Sequence, residues 1–320
     1  MIKELKVCKI CNEQLSNSHP WDNHRMSLKE YFETYEPKLD LLTNEKLPFK
    51  SVDHYFDTNF LNKNNLKKYL KGLHKDKATE FCKDMLVKRK VEKNLIYAPL
   101  QIELASLPCF PPVHYLFRLF NYYGFCQEIG LINKFQSHNN FHFNLDADNF
   151  NVDNFNLDNN LNSHYIVIDS RESQPIKFDI KYRIDKLDFG DYYFSGNSNV
   201  YFERKSLGDF LSTLTQGLER FTKELERANN AGIYLVMIIE NTLQEALIFN
   251  HLPWMKRVKT KATPDYIFHN LRELIQKFPK FQPFFVNGRT QVKEYMMKGF
   301  FSGDTFCNYD LQLLYQLKLI

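Results

Sequence analysis

The sequence predicts an α/β C-terminal half behind a mainly helical N-terminal half. Three observations predict it. Short apolar runs at Tyr165–Ile168, Val200–Phe202 and Ile233–Ile239, with a β-rich stretch over Ile180–Phe194, have the lengths of strands. Between them Leu207, Phe210, Leu211, Leu214, Leu218, Phe221 and Leu225 recur at three and four residues, the stripe of a core-facing helix. Before residue 136 the signals are helical throughout.

The 320 residues make two domains the prior, with room for a short third unit. A second C-terminal helix is expected over Pro264–Phe278, with proline at its start and Pro279 beyond its end. In the N-terminal half Ser27 and Glu30 form a capping box leading into Tyr31, Phe32 and Tyr35, and Leu66, Tyr69, Leu70 and Leu73 keep helical spacing. The tract 136–163, dominated by Asn, Asp, Phe and Leu, has no useful helical or strand period and reads as a linker. Its recurrent Phe and Leu also suit an extended segment docked on a neighbouring domain. The expected organisation is a zinc-finger-like unit over 1–35, a basic helical region over 36–135, the linker, an α/β domain over 164–302 and a tail over 303–320.

Charge is patterned along the chain. The 42 Lys and Arg against 38 Asp and Glu give only +4, but residues 1–135 carry +5, the linker −4 and residues 164–320 +3. Lys63–Lys93 alone holds 11 basic and 4 acidic residues, enough to contact several phosphates if one face carries them. A solvated helical surface has the same composition. The longest apolar run, Ile233–Ile239, is too short to span a bilayer, and Met1–Lys6 has no secretory h-region. A soluble, intracellular protein is expected. Cys82, Cys109, Cys126 and Cys307 are isolated and suit free thiols.

Cys8 and Cys11 differ, because His19 and His24 follow and complete the ligand set of a tetrahedral structural Zn²⁺. The short Cys-to-His gap leaves a free thiol pair with surface histidines open as well. Chemistry concentrates further on. Glu203 and Lys205, two apart on a strand, project from one face. Asp191, from the preceding strand across a turn, can sit opposite Glu203, and two carboxylates make a hard-oxygen site of the kind Mg²⁺ prefers. Lys205 would then position the nucleophile or help deprotonate it. Asp209 falls in the first turn of the following helix, where it can return to the cleft or serve the helix dipole. An exposed strand-face ion pair is the plainer reading of Glu203 and Lys205.

The longer string is more specific. Asp169-Ser-Arg-Glu172, Gly190-Asp-Tyr192, Phe202-Glu-Arg-Lys-Ser206, Asp209 and Glu219-Arg-Phe221 resemble, in order and spacing, the nuclease domain of the XPF family, whose hallmark is Gly-Asp followed by Glu-Arg-Lys-x-x-x-Asp. The resemblance implies a restriction-nuclease-like core, a mixed sheet flanked by helices, and a Mg²⁺- or Mn²⁺-dependent DNA endonuclease. It implies that Asp191 and Glu203 bind the divalent metal and Lys205 acts on the attacking water. Asp169, Glu172 and Asp209 would support the acidic cluster, and Arg171, Arg204 and Arg220 would hold phosphate or order the cleft. A structural salt bridge to Glu172 or Asp169 is an equal alternative for Arg171.

Structure-specific members of that family carry a tandem helix-hairpin-helix domain after the nuclease, and only about twenty residues, Phe301–Ile320, follow here. The chain looks like the shorter phage and mobile-element members, which leaves DNA selection to the N-terminal half. Tyr97–Leu104, Leu107–Phe120 and Tyr123–Leu131 resemble the helical repeat associated with homing endonucleases, in which a helix at about Val113–Phe120 would bring His114 and Arg118 to a groove. An ordinary helical bundle with an aromatic core fits the same residues. The partner expected is DNA, with room for a homodimer through the nuclease domain, and no membrane. A branched-DNA repair nuclease and a non-catalytic DNA-binding protein retaining the fold are the competing readings; the intact Asp191, Glu203 and Lys205 favour an enzyme.

Overall fold

The computed structural model describes residues 66, 70, 73–107, 110–140, 164–196, 199–253, 262–302 and 307–320. The chain divides into two compact units, Met1–Met85 and Leu86–Ile320. The described part of the first unit is helical. Leu66 and Leu70 are buried, as the helical spacing predicts, and Ala78, Phe81, Cys82 and Met85 are buried along helix α1 (Lys75–Lys93). Beyond residue 85 the basic side chains of α1 are partly committed, Lys90 donating to the Ile129 carbonyl and Lys88 lying 3.9 Å from Glu92.

The second unit begins with three short helices, α2 (Gln101–Ala105), α3 (Val113–Leu119) and α4 (Tyr122–Glu128). There follow β1 (Ile166–Asp169), β2 (Tyr182–Asp185), β3 (Tyr192–Phe194), β4 (Val200–Lys205), α5 (Leu207–Thr213), α6 (Leu218–Asn230), β5 (Tyr234–Ile239), α7 (Leu243–Leu247), α8 (Pro264–Lys277), β6 (Phe281–Phe285), α9 (Gly288–Ser302) and α10 (Leu311–Leu317). The six strands form one mixed sheet in the order β2-β1-β3-β4-β5-β6. Only β3 runs against the others, pairing antiparallel with both β1 and β4, while the remaining contacts are parallel. Central strands buried on both faces explain why β1 and β5 read as apolar runs.

Helices cover both faces. One core gathers Leu207, Phe210, Phe221 and Leu225 of α5 and α6 with Leu235, Met237 and Ile239 of β5 and the apolar side of α8. The other packs Tyr295, Met296 and Phe300 of α9 on Ile166, Ile168, Tyr192 and Phe202. The stripe from Leu207 to Leu225 is two helices rather than one, broken where the Gly217 N–H turns back to the Ser212 carbonyl. Helix α8 matches its sequence signals, with Thr263 accepting from the Tyr266 N–H and Pro264 in first position.

The second unit also takes in residues 86–135 and the final helix. Leu100, Ile102, Ala105 and Phe135 lie in the same apolar core as α5, α6 and β5, and the Gln101 N–H donates to buried Asp310 at 2.7 Å. The first linker residue, Gln136, bonds Asn308 and Tyr309 at 2.8 and 3.0 Å; residues 141–163 lie outside the described residues. Among the described residues, no helix is long and apolar enough to cross a membrane, and Cys82, Cys126 and Cys307 are buried and form no disulfide.

Candidate active site

The site forms where β3 begins and β4 ends. Gly190 holds φ +57°, and a Cβ there would lie 2.8 Å from the Phe202 carbonyl, so a glycine is required. The turn it makes delivers Asp191 to the sheet, where the Asp191 N–H donates to Phe202 O and an Asp191 carboxylate oxygen accepts from the Arg204 N–H, both at 2.8 Å. Tyr192 pairs with Phe202, so Asp191 stands opposite Glu203 across the β3–β4 ladder. Alternation along β4 puts Glu203 and Lys205 on that same face and they are ion-paired, as the two-residue spacing predicts.

Glu203 is almost fully buried, and Asp191 is half-buried beside it. Burial first, and then the neighbouring carboxylate, push Glu203 above the usual carboxylate range against the pull of Lys205. Burial likewise raises Asp191, against the Arg204 N–H bond and the Lys205 charge. Burial disfavours the Lys205 ammonium, but Glu203, Asp191 and Glu224 outweigh it and hold the group protonated above its ordinary range. Lys205 is therefore a fixed cation and hydrogen-bond donor. Two desolvated carboxylates and one ammonium leave excess negative charge, which a divalent cation would neutralise.

The opposite face of β4 is structural. The Arg204 guanidinium donates to Glu172 at 3.0 and 3.2 Å and to Glu240 at 2.9 Å, and Arg289 of α9 bonds the same Glu240 oxygen at 3.0 Å. The Arg204 and Glu172 side chains are only 9% and 6% exposed, so neither meets a phosphate freely. Burial would raise Glu172, but its bonds from Arg204 and the Gln174 N–H hold it below its ordinary value. Asp169 is likewise committed. Arg171 forks both of its oxygens at 2.7 Å, and the Arg171 and Leu187 N–H groups add bonds at 2.7 and 2.8 Å, which outweigh burial and depress the carboxyl. The salt-bridge reading of Arg171 is thus met by Asp169, while two-thirds of the Arg171 side chain remains exposed.

Asp209 is exposed at the start of α5, accepting from the Ser206 hydroxyl at 2.6 Å while its own N–H donates to that oxygen at 3.2 Å. Ser206 caps the helix there, and Asp209 in the first turn bonds the capping hydroxyl. Arg220 is exposed on α6. In the helical segment Arg118 is exposed, whereas half-buried His114 turns towards Gln101, its N–H donating to the Gln101 carbonyl oxygen of the side chain at 3.3 Å. Burial, with the Arg118 charge, lowers the His114 pKa. Cys8, Cys11, His19 and His24 lie outside the described residues.

Three participants escape sequence reasoning. Glu224 of α6 accepts from the Gly190 N–H at 3.4 Å and adds its charge to Glu203, Lys205 and Arg171. Its one signal is a polar position between the buried Phe221 and Leu225 of an amphipathic helix. Glu240 and Arg289 follow β5 and open α9, and only the fold brings them to Arg204.

Among the described residues, no three His, Cys, Asp or Glu side chains are grouped to share one ion. The Asp191–Glu203 pair fits Mg²⁺ nonetheless, since that ion keeps several waters and is commonly held by one or two carboxylates. A comparison with curated proteins found no match. Among solved structures, XPF from Aeropyrum pernix in complex with DNA is similar at 15% identity, covering 42% of this chain and 62% of that one with a TM-score of 0.32. A second structure of XPF from Aeropyrum pernix is likewise similar at 15% identity, covering 42% of this chain and 64% of that one with a TM-score of 0.31. The chain thus spans less than two-thirds of the length of those proteins. The firmer likeness is that of the segment holding every residue of this site: residues 168–298 match the ERCC4 domain, that of the XPF nuclease family.

Proposed function

We propose that the chain is a divalent-metal-dependent DNA endonuclease that hydrolyses phosphodiester bonds at Asp191, Glu203 and Lys205. The observation that carries this reading is the meeting of two desolvated carboxylates with a fixed ammonium on the β3–β4 ladder, inside the segment that matches the ERCC4 domain. A bound Mg²⁺ or Mn²⁺ would supply Lewis-acid stabilisation of the phosphate and a more acidic water.

Asp191 and Glu203 are the residues that would hold the ion. Lys205, kept protonated by its neighbours, donates to the attacking water or to a non-bridging phosphate oxygen and so orients one against the other. As the water oxygen bonds to phosphorus it gives its proton to solvent, and the bond to the leaving strand oxygen breaks, that oxygen taking a proton from solvent. Arg204 acts through Asp191: its N–H fixes one carboxylate oxygen while its guanidinium anchors the strand behind. The exposed side of Arg171 and the free face of α6 at Arg220 suit flanking phosphates. Asp209 and Glu172 support the site through the α5 cap and the Arg204 network.

Choice of the cleaved site falls to the N-terminal region, with the basic Lys63–Lys93 stretch on phosphates and a Zn²⁺ unit built by Cys8, Cys11, His19 and His24. Zinc analysis of the purified chain should give about one equivalent, lost in Cys11→Ser. Supercoiled plasmid, linear duplex and synthetic forks, each offered with Mg²⁺ and with chelator, test the activity. Metal-dependent nicks or cuts in duplex are expected. Cleavage of forks alone would move the reading to a branched-DNA nuclease, and binding without cleavage in Mg²⁺ or Mn²⁺ would make the chain a DNA-binding protein.

A further inference from the structure

The face of the sheet that carries Asp191 and Glu203 continues into an aromatic pair. Tyr193 is registered with Tyr201, and strand alternation places Tyr193 on the face of Asp191 and Tyr201 on that of Glu203. The two rings stack at 4.7 Å between centroids and 21° between planes, one pleat repeat, about 6–7 Å, along the ladder from the carboxylates. Tyr201 is backed by protein: it packs against the core beneath α5 and α6 and meets the edge of Phe189 at 5.8 Å, and the Arg227 guanidinium lies 5.8 Å from Phe189. Tyr193 is the outer ring. It is half-buried, and among the described residues it meets no ring but that of Tyr201, while neither phenol oxygen makes a hydrogen bond within the chain. A cross-strand aromatic pair by itself steadies a ladder. A pair with an unstacked outer face, one pleat repeat from a candidate metal site, is also a stacking surface.

We propose, on the reading that this site takes a DNA phosphate, that Tyr193, backed by Tyr201, stacks on the unpaired base of a nucleotide beside the phosphate held at Asp191 and Glu203. One pleat repeat is about the reach from a phosphate to the base of an adjoining nucleotide. A base inside a duplex is stacked on both faces by its neighbours, so only a base that has left the stack can lie on Tyr193. Every base has a π-face, so the contact selects strandedness and tolerates sequence. Cations flank the pair. Arg183 neighbours Val167, which neighbours Tyr193 in register, and Arg171 is two-thirds exposed beside Asp169. Arg183 also lies over the Tyr165 ring at 4.5 Å and 3.3 Å from Asp185, so it is held at the rim of the pair. Both guanidinium groups suit phosphates of the nucleotides on either side of the stacked base. Cleavage of a continuous duplex then requires extrusion of one base, and a strand already unpaired at that nucleotide is bound without that cost.

Photocrosslinking and affinity, both measured with the full chain in Ca²⁺, test the contact without reading cleavage, so their outcome is separate from that of the nuclease reading. A single-stranded oligonucleotide carrying 5-iodouracil, irradiated in the complex, should crosslink to Tyr193, as located by mass spectrometry of the digested product. Tyr193→Ala should bind the unmodified single strand about five- to a hundredfold more weakly than wild type, and Tyr193→Phe, which keeps the ring, should bind it as wild type does. A strand of the same length built of abasic nucleotides offers phosphates but no base to stack. Wild type and both variants should bind it equally, which also shows that the substitutions leave the rest of the surface intact. Crosslinks confined to other residues, Tyr193→Ala binding the intact strand as wild type does, or a loss on the abasic strand as large as that on the intact one would each overturn the proposal.

Discussion

At the scale of single residues, Asp191 holds a charge that the fold disfavours. Asp191→Asn keeps an oxygen for the Arg204 N–H and removes the like charge beside Glu203, so the variant should match or exceed wild-type stability, by up to about 1 kcal/mol. The sign follows from the titrations. Asp191 and Glu203 are raised, so between the ordinary carboxylate value and their own the folded state binds more protons, and metal-free protein gains stability as pH falls from about 8 towards about 6. Melting curves should show that gain in wild type, less of it in Asp191→Asn, and little with saturating Mg²⁺. Asp169 and Glu172 are depressed and have the opposite sign: their contribution is full above ordinary carboxylate values and is lost as pH falls through their lowered ones. Gly190→Ala meets the Phe202 carbonyl at positive φ and should cost about 1–3 kcal/mol, and it should impair cleavage by displacing Asp191.

Among the elements, Arg204 ties four together: β4, the turn after β1, the end of β5 and the start of α9. Arg204→Ala leaves buried Glu172 without its cation and should cost about 3–5 kcal/mol, read as a fall in the denaturant midpoint. Most of these elements are legible in sequence. The runs at Tyr165–Ile168 and Ile233–Ile239 become β1 and β5, and the signals at Pro264 and Pro279 bracket α8. Others are hidden for physical reasons. Phe281–Phe285 carries Pro283, which reads as a strand breaker yet is tolerated because β6 is an edge strand. Ile180–Phe194 looks like one β-rich stretch, but its halves lie on opposite sides of β1, a separation that local pattern does not encode. Asp191, Glu203 and Lys205 are legible because short-range rules place them: a glycine turn and a two-residue strand period. Glu224, Glu240 and Arg289 reach the site by tertiary folding alone.

For the molecule as a whole, the second unit is held closed by polar groups far apart in sequence. Gln312 seals the β6 edge and Asp310 receives the Gln101 N–H, so α10 and α2 belong to the body that carries the candidate active site. Gln312→Leu would leave the buried Phe285 N–H unpaired and should cost about 1–3 kcal/mol in chemical unfolding. The charge pattern of the sequence suggests two basic modules on an acidic tether; Leu100, Ile102 and Phe135 share an apolar core with α5, α6 and β5, and residues 86–320 form one compact unit. The most direct test of the catalytic reading is the rate of relaxation of supercoiled plasmid by wild type and by Asp191→Asn, in Mg²⁺, in Mn²⁺ and in chelator. Metal-dependent cleavage by wild type, reduced at least about a hundredfold in the variant while DNA binding persists, is the expected result. Intact plasmid with wild type in both metals, or cleavage by Asp191→Asn at the wild-type rate, would contradict it.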